Sequence, residues 1–223
     1  MPGSLANMGT AERAGQHEKV TVDVIEDVLF IGPALTSAAK EPRFSIALQR
    51  VASNWVTYIE NFDEAAGLVV LQSDLNDHVP TILKVRALTA IDAKPIVIAD
   101  QPSAQHEKRL RHAGAIAVLT ERHSFEDLLE LIVRAKDRGL GEHNTSEAAG
   151  MRQFKLSDRE LQVACLYAGH AAPSTAVVAQ RIGIPVASAR TYLQRARKVL
   201  SELGSTSTRE QLRTVLIADG WMS

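Results

Sequence analysis

Short apolar runs alternate with amphipathic stretches through the first two thirds of the chain. Residues 28–31, 55–59, 68–71, 95–98 and 115–119 form runs of four or five, mostly rich in β-branched side chains and bounded by Gly, Pro or Asp. Their continuous apolar character predicts strands buried on both faces of a parallel sheet. The stretches between them predict helices. Residues 44–52 carry Phe44, Ile46, Leu48 and Val51, and residues 79–90 carry Ile82, Val85 and Leu88. Residues 104–113 are charged and stop at Gly114. Residues 124–138 open on Ser124 and Asp127, stripe Leu128, Leu131, Ile132 and Ala135 along one face, and stop at Gly139. Five strands with intervening helices predict an α/β doubly wound, flavodoxin-like domain.

The pattern changes past residue 139. Residues 139–150 hold Gly, Ser, Asn and Thr without periodicity, the composition of a linker. The polar start of the chain predicts a disordered arm. The expected organisation is an arm at 1–22, an α/β domain at 23–139, a linker at 140–152 and a helical domain at 153–223. In the last of these, Ser157 and Glu160 have the spacing of a capping box ahead of Leu161, Ala164, Cys165 and Ala168. Ser174 predicts a cap for a second helix ending near Arg181, and Gly183 a tight turn. Pro185 suits the first turn of a third helix over 186–203. Ser207 and Glu210 predict the cap of a fourth helix, reaching about Ala218. These elements form an all-α helix-turn-helix unit.

The third helix divides its faces. Ala189, Leu193, Ala196 and Leu200 recur at spacings of three and four and point inward. Ser188, Arg190, Thr191, Gln194, Arg195, Arg197 and Lys198 occupy the other faces. Arg can bond guanine through two parallel hydrogen bonds and Gln can do the same for adenine, so the early residues are candidates for base edges. Arg195, Arg197 and Lys198 are candidates for phosphates.

Leu156-Ser157-Asp158-Arg159-Glu160, Val178-Ala179 and Ser188-Ala189-Arg190 resemble the LuxR/NarL-type helix-turn-helix family over residues 156–221. That resemblance implies that Arg190, Thr191 and Gln194 face the groove. It also implies that the fourth helix makes a dimer contact through Leu212, Val215 and Leu216. Residues 170–175 form a longer turn than the family's, Pro185 replaces its capping Ser, and Tyr192 replaces a common His. Residues 195–200 also resemble region four of sigma factors, but the strand-rich front half supplies no polymerase-binding helical domain.

The front half resembles a response-regulator receiver, most closely at Gly114-Ala115-Ile116-Ala117-Val118-Leu119. Receivers take a phosphoryl group on an aspartate after the third strand, beside an acidic pair that holds Mg²⁺, a hydroxyl residue and a lysine. With residues 28–31 as first strand, the acidic pair falls on Gly32 and Pro33 and the aspartate on Gln72. The hydroxyl falls on Ala99 and the lysine on Thr120 or Glu121. A register two residues later offers Asp74. Gly and Pro cannot ligate Mg²⁺ through side chains, and Gln72 cannot form an acyl phosphate. The expectation is therefore a degenerate, phosphorylation-independent receiver.

Charge sharpens this reading. The net charge of −1 is the balance of −6 over residues 1–150 and +5 over residues 151–223. A basic back half suits a polyanion. One cysteine, Cys165, precludes an intramolecular disulfide and, with no secretion-signal pattern, predicts a cytoplasmic location. No apolar run approaches the roughly 20 residues of a membrane span. The seven histidines lack metal-ligand spacing, and no phosphate loop or nucleophile elbow is present, so no metal, cofactor or catalysis is expected. The expected function is that of an atypical response regulator: a transcriptional regulator that binds double-stranded DNA as a homodimer. The alternative is an interaction module that reaches DNA only with a partner regulator or RNA polymerase. A small-molecule ligand at the strand ends is a further candidate partner.

Overall fold

A computed structural model describes residues 19–60, 66–73, 75, 77–137 and 156–222. The sequence expectations for the N-terminal arm, the linker and Asp74 lie outside these residues. The first part is a five-stranded, fully parallel sheet in the order β2-β1-β3-β4-β5. Its strands are β1 (Val20–Ile25), β2 (Ile46–Ala52), β3 (Leu68–Gln72), β4 (Lys94–Ile98) and β5 (Ala117–Leu119). Helices α1 (Ile31–Ala38) and α5 (Phe125–Asp137) cover one face. The core on that side includes Val22, Val24, Leu35, Val70, Ile96, Leu128 and Ile132. Helices α2 (Trp55–Glu60), α3 (Thr81–Thr89) and α4 (Ala104–Ala113) cover the other. This is the doubly wound, flavodoxin-like architecture expected from the alternation.

Three elements at the start of the domain differ from the sequence expectation. The first strand is Val20–Ile25, not residues 28–31. Its alternating Thr21 and Asp23 hide it as a core strand, yet Asp23 is fully buried. The Asp23 carboxylate accepts hydrogen bonds from the Tyr58 hydroxyl at 2.9 Å and the Ala66 amide at 3.3 Å. Residues 44–52, expected as helix, hold β2, and residues 55–59, expected as strand, lie in α2. The spacing of Phe44, Ile46 and Leu48 is that of a strand, and β2 is an edge strand with a mixed burial pattern. Trp55 and Tyr58 are three apart and both point inward, while Asn54 Oδ1 accepts from the Thr57 amide at 3.0 Å.

The helical part comprises α6 (Asp158–Ala168), α7 (Thr175–Arg181), α8 (Val186–Leu200) and α9 (Arg209–Ala218). Ser157 and Glu160 form the expected capping box on α6. Ser174 caps α7, accepting from the Val177 amide at 3.3 Å. Gly183 takes the left-handed conformation at φ 67° that the turn into α8 requires. The α9 box is one residue later than expected: Thr208 pairs with Gln211, and Ser207 is exposed. Helix α8 ends at Leu200 and runs into a turn over 201–203.

Leu212, Val215 and Leu216, expected at a dimer contact, are 0%, 8% and 0% exposed within the single chain. They pack in the same core as Leu161, Ala164 and Leu193, so they are unavailable to a second copy. That core is continuous with the one under α2, α3 and α4.

Candidate nucleic-acid interface

Helix α8 packs on α6 and α7 through Ala189, Leu193, Ala196 and Leu200, each fully or nearly fully buried. Arg190, Thr191, Gln194, Arg195 and Lys198 are exposed. At 3.6 residues per turn these five fall within about 140° of arc, opposite the buried stripe. The helix is about 22 Å long, and its outer strip is uncovered along that length. Thr191 Oγ1 donates back to the Ala187 carbonyl at 3.0 Å, which holds its hydroxyl near the helix axis.

Ser188 and Arg197 lie on the flanks and are half-buried. Arg197 leans inward, its guanidinium 5.3 Å from the Tyr167 ring centroid. Arg209 approaches the same ring at 4.2 Å and donates to the Pro173 carbonyl at 2.7 Å. The shared Tyr167 ring links α6, α8 and α9, so Arg197 differs from its neighbours in having packing to do.

The strand ends of the α/β part form a separate cleft of about 250 Å³, lined by Glu26, Val28, Phe30, Ile31, Gln72, Ser73, Ile98 and Asp100. The true position of β1 corrects the expected register: the residues that follow it are Glu26 and Asp27. Gly32 and Pro33 sit in the first turn of α1, where Gly32 is buried and Pro33 exposed. Glu26 is fully buried and caps α1 with both carboxylate oxygens. Oε2 accepts from Phe30 and Ile31 at 3.1 and 2.7 Å, and Oε1 accepts from Gly32 at 2.7 Å. Gln72 Oε1 accepts from the Asp27 amide at 3.2 Å. Ala99 is buried beside β5, and the Thr120 amide donates to His123 Nδ1 at 3.0 Å.

A receiver fold implies Mg²⁺ at these strand ends, and the donors among the described residues do not make a set for it. The Glu26 oxygens are consumed by backbone amides, and Gln72 offers an amide in place of a carboxylate. Among the described residues no group of three or more His, Cys, Asp or Glu side chains is placed to hold a metal.

No family model and no curated protein matches the chain. Solved structures do. RcsB from Salmonella enterica serovar Typhimurium bound to the rprA promoter aligns with a TM-score of 0.57 at 11% identity, covering 89% of this chain and 98% of that one. A second RcsB response-regulator structure from Salmonella typhimurium aligns with a TM-score of 0.59 at 12% identity, covering 91% and 98%. An RcsB–DNA complex described as a two-component response regulator aligns with a TM-score of 0.57 at 11% identity, covering 89% and 99%. The chain therefore has the fold of a two-domain response regulator, a receiver-like α/β domain followed by a helix-turn-helix domain. Among the described residues no helix is long and apolar enough to cross a membrane.

Proposed function

We propose that the chain is a transcriptional regulator that binds duplex DNA sequence-specifically, as a homodimer and without phosphorylation of its α/β domain. The observation that carries this reading is the uncovered strip of α8, whose Arg190, Thr191, Gln194, Arg195 and Lys198 stand opposite a fully packed face. Arg190 and Gln194 are suited to base edges, and Arg195 and Lys198 to phosphates. The similarly folded RcsB is described as bound to a promoter, which supports the reading. Independence from phosphorylation is supported by Gln72 at the end of β3 and by the commitment of Glu26 to the α1 amides. Pairing is assigned to the α/β domain, because α9 keeps Leu212, Val215 and Leu216 in the core of its own chain. Two such chains would place their α8 helices about 34–36 Å apart, one turn of DNA.

The test is selection of duplexes from a random pool by the purified chain. The expected result is a motif repeated in two halves, whose preference over random DNA is lost in Arg190→Ala. Recovery of no duplex overturns it. A second reading is favoured by one observation: Val28, Leu29 and Phe30 are 66%, 69% and 70% exposed side by side at the cleft mouth. On that reading the α/β domain docks a regulator or RNA polymerase, and the chain binds DNA only when that partner is added.

A further inference from the structure

The end of α9 is seated on α4. Arg109, 5% exposed, donates through Nη2 to the Asp219 carboxylate and through Nε to the Asp219 carbonyl. Its guanidinium lies 3.7 Å from the centroid of the Trp221 ring, and Arg86 of α3 lies 5.9 Å from the same centroid. Between them, Gly220 takes φ 80°, and a Cβ there would stand 2.5 Å from the Gln105 backbone. No other residue allows that approach. The Gly220 carbonyl accepts from His106 Nδ1 at 2.8 Å, a contact 3% exposed at the histidine. Helix α6 joins the same seam: Arg86 pairs with Asp158 at 2.9 Å, and Gln162 Nε2 donates to the His78 carbonyl at 2.9 Å.

This seam holds the two domains together without touching the outer strip of α8, which stays exposed in the docked chain. A contact that masked the recognition helix would gate DNA binding. A contact that leaves it open instead sets its angle.

We propose that the seam of Arg109, His106, Gly220 and Trp221 is a specificity-determining joint. By holding α8 at one orientation to the α/β domain, it makes a pair of chains select DNA by the spacing of its half-sites. The inference rests on the DNA-binding reading above. A rigid pair gains the avidity of two engaged helices only where the duplex presents both grooves at the built-in separation and rotation. A loose pair gains it at many spacings.

The experiment uses the full chain, duplexes recovered by selection, and derivatives with one half-site or with the two halves five base pairs further apart. Gly220→Val and Arg109→Ala open the seam, and the red shift of Trp221 emission reports the opening. The wild-type chain is expected to lose about a hundredfold in affinity when the spacing shifts by half a turn, the scale of avidity from one linked site. The opened variants are expected to lose under about fivefold, while binding the single half-site as the wild type does. A wild type indifferent to spacing overturns the proposal while leaving DNA binding intact. So do opened variants that keep the preference, or an emission maximum that does not move. Opened variants that bind the half-site more tightly identify the seam as a mask and overturn it as well. A wild-type chain that binds no half-site fails the underlying reading, and the joint with it.

Discussion

Glu26 tests whether the strand-end cleft is a metal site or a structural cap, because the two roles predict opposite effects of removing its carboxylate. In the structure both oxygens accept from the first amides of α1, at 2.7 to 3.1 Å. Phe30 is 70% exposed, so water replaces the lost partner at its amide. Ile31 and Gly32 are more enclosed, and each orphaned amide costs about 1–2 kcal/mol. Loss of a negative charge at a helix N-terminus adds about 0.5 kcal/mol. Glu26→Ala should therefore lower stability by about 2.5–4.5 kcal/mol, which in a chain of this size lowers Tm by roughly 5–18 °C. Glu26→Gln keeps one acceptor oxygen and should fall about midway. The assay is a thermal melt with and without millimolar Mg²⁺. The expected order is wild type above Gln above Ala, with Mg²⁺ changing none of them. A wild type stabilised by Mg²⁺, with that gain lost and the metal-free Tm unchanged or raised in Glu26→Gln, would refute the capping account and restore a metal site.

Gly114 closes α4 at φ 117°, where an added Cβ would stand 2.1 Å from Thr89 Oγ1. Gly114→Ala combines left-handed strain with overpacking and should cost about 2–5 kcal/mol by chemical denaturation; a loss below about 1 kcal/mol would contradict the geometry. Burial pushes the Cys165 thiol from its ordinary 9.0 up to about 12. At pH 8 a thiol reagent should label it only at the rate of unfolding, and labelling of the native chain within seconds would contradict its burial. Between pH 9 and 12 the unfolded thiol ionises and the folded one does not, so this group's contribution to stability falls as pH rises through that window. Arg197 and Lys198 should part company. Lys198→Ala should reduce the slope of log affinity against log salt by about one without changing Tm, and Arg197→Ala should remove about 0.5–1 kcal/mol of stability with a smaller effect on the slope. Equal salt slopes in the two variants would erase the distinction drawn from Tyr167.

What was legible in the sequence was what is decided locally. Ser157 and Glu160 cap α6 because both partners lie within one turn, and the inward stripe of α8 follows from spacing alone. The alternation of elements gave the sheet class. Its first strand was not legible, because Asp23 reads as solvent-facing until Tyr58, 35 residues away, supplies its hydrogen bond. Val28, Leu29 and Phe30 have the composition of a core strand and are exposed, since Glu26 draws the chain into α1 just beyond them. That error moved the acidic position onto Gly32 and Pro33. At the other end, the family resemblance implies a dimer contact at Leu212, Val215 and Leu216, and nothing near them in the chain announces that α6 and α8 cover them. The seam was invisible for a related reason: Arg109 and Asp219 are 110 residues apart, and nothing near either announces the other.

The cleft and helix α8 are joined by one connected set of contacts. Asp100 lines the cleft, and three residues on Ser103 caps α4 by accepting from the His106 amide at 3.1 Å. His106 then holds Gly220, and Arg109, one turn further along the same helix, holds Asp219 and Trp221. Helix α9 ends just before that corner and shares its core with α6 and α8. A shift of α4 at the cleft end would therefore be felt at the corner, because the Gly220 backbone abuts Gln105 too closely to absorb it. The opposite rim of the cleft is tethered: Glu26 ties β1 to α1, and Gln72 ties β3 to the loop between them. With that side held, α4 is the element that lies between the Asp100 rim of the cleft and the end of α9.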